Sequence, residues 1–313
     1  MVTETEARFE PIEKRTEQDP YLVNGVSYNA SKGNLSLRWF FYTLITQMSK
    51  ITVPIIVEKK KRNEKLVVLT AYDASTANII DETGVDIILV GDSLGNVIQG
   101  LGNTLQVTMD EMLYHTKIVA RGVKDAHLCS DMPFMSYQAS KHDAVNNAGR
   151  MIKEGGAESV KIELTDAYVE SIYAIQKAGI PVIGHIGLCP QSVLKMGGYR
   201  IQGREEIEAQ GLFELARKAE DAGAFSIVLE SIPQGLAKKI TESINIPTIG
   251  IGAGPFCDGQ VLVINDMVGL SPDPIPKFVK KYANLRQIMA KSVEEFRDEV
   301  RSGVFPSMNH SYD

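Results

Sequence analysis

Seven ionisable side chains stand at or just beyond the ends of apolar runs: Asp73, Asp92, Asp131, Lys161, Glu163, His185 and Glu230. The fullest such run is Asp86-Ile87-Ile88-Leu89-Val90, which leads into Gly91-Asp92-Ser93-Leu94-Gly95. A lone Asp after a strand most often caps the turn that follows. Repetition of the pattern along the chain favours a shared site instead. Three or more carboxylates converging on one point repel each other unless protons or a cation intervene. With oxygen donors and no cysteine or histidine cluster, such a set selects a hard ion, Mg2+ or Mn2+. A 2-oxo acid offers adjacent carboxylate and carbonyl oxygens that chelate such an ion, which then stabilises an enolate as a Lewis acid. Lys161 would hold the substrate carboxylate, and a further carboxylate would take a proton from carbon. The residue types point to metal-assisted carbanion chemistry on a 2-oxo acid. A structural ion pair of Lys161 with acidic neighbours is the competing reading. His185 is as readily a hydrogen-bonded wall residue as a catalytic one.

These residues meet only if the elements before them run parallel to a common mouth. A short β-branched run bounded by turn residues reads as a strand buried on both faces. Eight such runs are recognisable: Leu66 to Thr70, Ile87 to Asp92, His127 to Asp131, Val160 to Glu163, Val182 to His185, Ile227 to Glu230, Pro247 to Ile251 and Val261 to Ile264. Gly84, Gly156, Gly179 and Gly223 each precede a strand and mark the end of a helix. Thr108-Met109-Asp110-Glu111 is a capping box, with Met109, Met112, Leu113 and Thr116 on one helical face. Ser140 opens another helix, in which Ala144, Val145, Ala148, Met151 and Ile152 keep the helical spacing. Eight βα units over roughly 240 residues predict an α/β fold, a (β/α)8 TIM barrel, with an open doubly wound sheet as the alternative. Lys161 and Glu163, two apart on one strand, then share the inner face, and Val160 and Ile162 turn to the helices.

The chain has 313 residues and a net charge of −6, which argues against a nucleic-acid footprint. Cys129, Cys189 and Cys257 lack metal-site or redox spacing and are expected to be buried thiols in a reducing compartment. No run has the length of a membrane span; Trp39 to Thr46 is too short and lacks the flanks of a signal peptide. A cytoplasmic protein is expected. Residues 1–47 show no sustained period and read as a loosely attached extension, and residues 48–313 as one catalytic barrel. Lys59-Lys60-Lys61-Arg62 reads as a solvated helix end. Gly250-Ile251-Gly252-Ala253-Gly254 fails the dinucleotide spacing because Pro255 stands where the third glycine belongs. Its glycines read as sites of close backbone approach.

The sequence resembles the ketopantoate hydroxymethyltransferase family. The matching stretches are Leu69-Thr70-Ala71-Tyr72-Asp73, Val90 to Gly95, Asp131-Met132-Pro133-Phe134-Met135, Val160-Lys161-Ile162-Glu163 and His185-Ile186-Gly187-Leu188. Pro190-Gln191-Ser192, Gly197-Gly198-Tyr199, Gln202-Gly203-Arg204, Leu229-Glu230, Ile246 to Gly254 and Asp258-Gly259-Gln260 complete the collinear set. The resemblance spans about residues 48 to 310 and implies a (β/α)8 barrel acting in pantothenate and coenzyme A biosynthesis. It implies transfer of a one-carbon unit from 5,10-methylenetetrahydrofolate to 3-methyl-2-oxobutanoate. It implies that Asp92 and Asp131 bind Mg2+ with Glu163 in support. It also implies that Ser93 and Lys161, with Asp92 and Asp131, hold the 2-oxo acid, that Glu230 accepts the proton, and that the chain assembles as a homodecamer. Gln106 stands where the family usually has proline, and Cys189 where threonine is common; neither is a ligand. The nearest rival is a barrel of the phosphoenolpyruvate mutase and isocitrate lyase kind, but no cysteine here has the basic Lys-Lys-Cys-Gly-His context of those enzymes. A non-catalytic assembly subunit is a further rival, against which the intact acidic set and Lys161 argue.

Overall fold

The computed structural model describes residues 50–312, and before them two two-residue antiparallel strands, Leu22–Val23 and Val26–Ser27. The rest of the expected extension, including Trp39 to Thr46, lies outside the described residues. Eight parallel strands close into a barrel: β1 (Leu66–Thr70), β2 (Ile87–Val90), β3 (His127–Asp131), β4 (Ser159–Glu163), β5 (Val182–Gly187), β6 (Ser226–Glu230), β7 (Thr248–Ile251) and β8 (Gly259–Leu262), with β8 paired to β1. All eight expected strands are present. The last lies earlier than expected because Ile264 instead opens a one-turn helix, Ile264–Met267, its N–H held by Thr70 Oγ1 at 3.0 Å.

Helix α1 (Val53–Lys61) precedes the barrel; α2 (Ala74–Glu82), α3 (Met109–Ala120), α4 (Lys141–Arg150), α5 (Val169–Lys177), α6 (Glu206–Asp221) and α7 (Gln234–Ser243) connect its strands. Thr108 accepts from Glu111 N while Glu111 reaches back to Thr108 N, so the expected capping box is formed. Ser140 accepts from Asp143 N and starts α4 as expected. Gly84 and Gly223 adopt φ of +78° and +96° between helix and strand, where a Cβ would be strained.

Apolar residues divide by strand parity. Val160 and Ile162 join the larger core between sheet and helices, and Ile87, Leu89, Ile183 and Ile249 fill the barrel interior with Ile56 of α1. The lysine run at the end of α1 departs from expectation. Lys59 pairs with the buried Asp86, and Lys60 Nζ lies 2.8 Å from Asp258, so two of the four cations fasten α1 to the strands instead of facing water. Lys61 and Arg62 are exposed or nearly so and behave as expected. All three cysteines are buried and unpaired. Among the described residues no helix is long and apolar enough to cross a membrane. The last helix, α8 (Leu285–Ser302), has no buried residue.

Candidate active site

In a parallel barrel all strand C-termini share one rim, and strand register decides which side chains become neighbours there. Asp131 pairs with Lys161, Glu163 with His185, and Gly187 with Glu230 across adjacent strands. A cavity of about 570 Å³ opens at this rim, and Asp92, Ser93, Asp131, Lys161, Glu163, His185 and Glu230 all line it. Asp73 does not. Its carboxylate accepts from Thr76 N at 2.9 Å and Thr76 Oγ1 at 2.7 Å, so it caps α2 in solvent. The capping role weighed for Asp92 belongs to Asp73.

The polar groups are tightly interlocked. Lys161 Nζ stands 2.9 Å from Asp131 Oδ1 and 3.4 Å from His185 Nδ1. Asp131 Oδ2 accepts from Asp92 N at 3.0 Å. His185 Nε2 lies 3.2 Å from Glu230 Oε2. Ser93 Oγ is 2.8 Å from the hydroxyl of Tyr72, a buried residue one position before Asp73. So the ion pair weighed as a structural alternative is formed, but inside the cavity, where it also sets the charge of the site.

Gln191 joins the carboxylates and was singled out in sequence only as part of a matching stretch. Its Nε2 donates to Asp92 Oδ2 at 2.8 Å and to Met132 O at 2.9 Å. Its Oε1 accepts from Tyr137 OH and Gln138 Nε2, both at 2.9 Å. Its backbone N–H reaches Glu163 Oε1 and Oε2 at 3.2 and 3.0 Å. No local pattern distinguishes such a glutamine. The signal was its place in a loop following a barrel strand.

Burial and the nearby Asp131 charge push the Asp92 carboxyl up to about 7, against Lys161. Burial, with the Asp92 charge, also holds Glu163 well above the ordinary carboxylate range. For Lys161, burial disfavours the charge, but Asp131, Asp92 and Glu163 outweigh it and raise the ammonium above its usual value. Burial and the Lys161 charge lower His185, against Glu230, so its imidazole is neutral at neutral pH. The site thus presents a firm cation, a neutral imidazole and an excess of buried acid. Among the described residues, no three His, Cys, Asp or Glu side chains are grouped closely enough to hold a metal by themselves.

Fold and site define a (β/α)8-barrel enzyme with one acidic, lysine-bearing pocket at the C-terminal rim. Solved structures sharing the fold include a phosphonopyruvate hydrolase in complex with oxalate and Mg2+ (TM-score 0.55, 14% identity, 84% of this chain and 93% of that one). A 2,3-dimethylmalate lyase of the PEP mutase/isocitrate lyase superfamily matches similarly (TM-score 0.55, 17% identity, 84% and 89%). At such identities the likeness is one of fold. The sequence matches go further. The family model described as ketopantoate hydroxymethyltransferase matches residues 50–308. The 3-methyl-2-oxobutanoate hydroxymethyltransferases of Syntrophomonas wolfei and Clostridium kluyveri are 52% and 54% identical over 265 residues, 85% of this chain and 96% and 95% of theirs. That of Thermotoga maritima is 53% identical over 256 residues, 82% of this chain and 94% of its own. The chain belongs to the ketopantoate hydroxymethyltransferase family, and is a hydroxymethyltransferase of pantothenate biosynthesis.

Proposed function

We propose that this cavity carries a one-carbon unit from 5,10-methylenetetrahydrofolate to 3-methyl-2-oxobutanoate, giving 2-dehydropantoate. The reading rests on one observation above the others: Asp92, Asp131 and Lys161 are buried together, with Glu230 in the same cavity beside a neutral His185. Three buried carboxylates, Asp92, Asp131 and Glu163, face one ammonium. Asp131 Oδ1 is buried with no aligned hydrogen-bond donor, and burial, with the Asp131 charge beside it, pushes the Asp92 carboxyl up to about 7. That donor set fits Mg2+ held by Asp92 and Asp131, with Glu163 behind them. Mg2+ is commonly held by one or two carboxylates and completes its shell with water and substrate oxygens, in keeping with the lack of a self-sufficient cluster. Bound there, it would supply Lewis-acid stabilisation of the enolate.

The chain's own groups do the rest. Lys161 pairs with the substrate carboxylate, and Ser93, oriented by Tyr72, donates to a substrate oxygen. Glu230 takes the proton from C3 as the C3–H electrons move into the enolate. His185 Nε2 stands 3.2 Å from Glu230 Oε2 without an aligned hydrogen bond, so a small turn of either side chain lets the imidazole donate to the Glu230 carboxyl. In the transfer C3 bonds to the methylene carbon, both of the carrier's C–N bonds to that carbon break, and one water supplies the hydroxyl oxygen. The two water protons and the proton taken up by Glu230 go to the two freed nitrogens and the new hydroxyl.

The absence of any buried residue on α8 supports assembly with further copies of this chain, a homodecamer by family resemblance; three buried, unpaired cysteines suit the reducing cytoplasm. Ile288, Met289, Val293, Phe296 and Val300 form an exposed apolar stripe on that helix, and Val67 of β1 is 49% exposed on a strand. Two measurements test the reaction: turnover of 3-methyl-2-oxobutanoate with methylenetetrahydrofolate as a function of Mg2+, and deuterium exchange at C3 in heavy water without folate. An enzyme that neither turns over nor exchanges with Mg2+ present refutes the assignment.

A further inference from the structure

The rim cavity has two unlike sides. Asp131, Lys161, Glu163, His185 and Glu230 come from β3 to β6, on one side of the barrel. Opposite, at β7, β8 and the segment beyond, the wall is mainly apolar, with Ile251, Leu262, Val263 and Phe278, and carries one cation, Lys277, and one carboxylate, Asp266. A cavity of about 570 Å³ lies in the range that drug-sized ligands fill, far beyond what a five-carbon acid needs. The apolar side therefore has room for a second molecule.

Three details mark that side as built for one. Asp266 lies in the one-turn helix Ile264–Met267, which is fastened to β1 by the hydrogen bond from Ile264 N to the buried Thr70 Oγ1. Its carboxylate has no hydrogen bond or ion pair to another described residue, although it lines the cavity. Phe278 packs against Gly252, where a Cβ would come within 2.7 Å of the ring, so the second glycine of the Gly250–Gly254 stretch is what lets the ring stand at this place. Thr104, following β2 on the far side of β1, lines the same cavity with only 2% exposure, and its Oγ1 has no partner among the described residues.

We infer that Asp266 and the Phe278 wall seat the heterocycle of the one-carbon carrier, a flat bicycle with a 2-amino-4-oxo edge. The inference rests on the proposed reaction and names the subsite for its second substrate. The amino N–H and ring N–H of that edge form a parallel donor pair, which a carboxylate accepts in bidentate fashion, as it does the two N–H groups of a guanidinium. The flat ring stacks on Phe278, and Thr104 Oγ1 offers a donor on the side of the 4-oxo group. Seated so, the carrier faces the charged half of the cavity, where the enolate carbon forms.

The test separates the two substrates. For Asp266→Asn, the KM for 5,10-methylenetetrahydrofolate should rise about tenfold or more, the loss expected for hydrogen bonds to a charged acceptor. The KM for 3-methyl-2-oxobutanoate and its folate-free C3 exchange rate should stay within about twofold, which also shows that the variant is folded. Calorimetric titration with tetrahydrofolate and with a tetrahydropterin lacking the glutamyl tail should weaken in parallel. Phe278→Ala should move the folate KM in the same direction. An unchanged folate KM in Asp266→Asn overturns the subsite, and so does an equal rise in both KM values. A parent enzyme without C3 exchange overturns the proposed reaction itself.

Discussion

Replacing Gln191 by methionine keeps the length of the side chain and removes every polar atom from it. The structure sets the cost. Gln191→Met leaves Asp92 Oδ2 and Met132 O without the Nε2 donor they share, and takes an acceptor from Tyr137 OH and Gln138 Nε2. Tyr137 OH keeps contacts to Glu163 O at 3.2 Å and Glu163 N at 3.0 Å, and Gln138 is only half-buried. Two buried acceptors are therefore stranded, at about 1–3 kcal/mol each, the carboxylate at the upper end. Because they share one donor their costs do not simply add, so we expect a total of roughly 3–5 kcal/mol. For a domain of this size that corresponds to a fall in Tm of roughly 6–20 °C. Asp92, no longer held by the amide, should also demand more Mg2+ for half-maximal activity. Differential scanning calorimetry and an Mg2+ titration of turnover measure the two effects. A fall in Tm below about 2 °C, with unchanged Mg2+ dependence, would refute the view that this glutamine holds the acidic cluster in place.

Glu230→Gln should bind Mg2+ and 3-methyl-2-oxobutanoate almost normally yet lose about 10²- to 10⁴-fold in turnover and in C3 deuterium exchange; exchange at the parental rate would assign the base elsewhere. Asp92→Asn and Asp131→Asn should each raise the Mg2+ requirement and weaken 2-oxo acid binding with it, and unchanged metal dependence in both would sink the chelate. His127, buried with its Nε2 2.8 Å from Ser159 Oγ, is pushed down to about 4 by burial, against Glu158. The unfolded chain takes up this proton below about pH 6.5 and the folded chain only near 4, so stability should fall by up to about 3 kcal/mol as pH drops through that window. Urea unfolding of His127→Gln should show a flatter slope there, and parallel slopes would contradict the assignment. Removal of residues 1–47, which lie before the family match that begins at residue 50, should leave turnover and Tm nearly unchanged; loss of soluble, active protein would show that the segment is needed.

Local chemistry was enough to read the barrel, and most of the residues that line its rim cavity, from the sequence. A buried parallel strand needs a continuous apolar run, a helix end needs a residue tolerant of positive φ, and both signals lie within a few adjacent residues. Asp92, Asp131, Lys161, Glu163, His185 and Glu230 were legible because each lies within two residues of a strand's C-terminal end, and a parallel barrel brings those ends to one rim. What tertiary structure alone decided are pairings across long stretches of chain. Gln191 and Asp92 are 99 residues apart, Ile264 and Thr70 194, and Lys60 and Asp258 198. None of these partners leaves a mark in its own neighbourhood, so α1's lysines read as solvated and Gln191 as one matching residue among many. Asp73 and Asp266 show the same limit from both sides. Each is an aspartate after a barrel strand, yet one turns outward to cap α2 and the other inward to the cavity, because the direction of the chain leaving each strand is set by what packs against it.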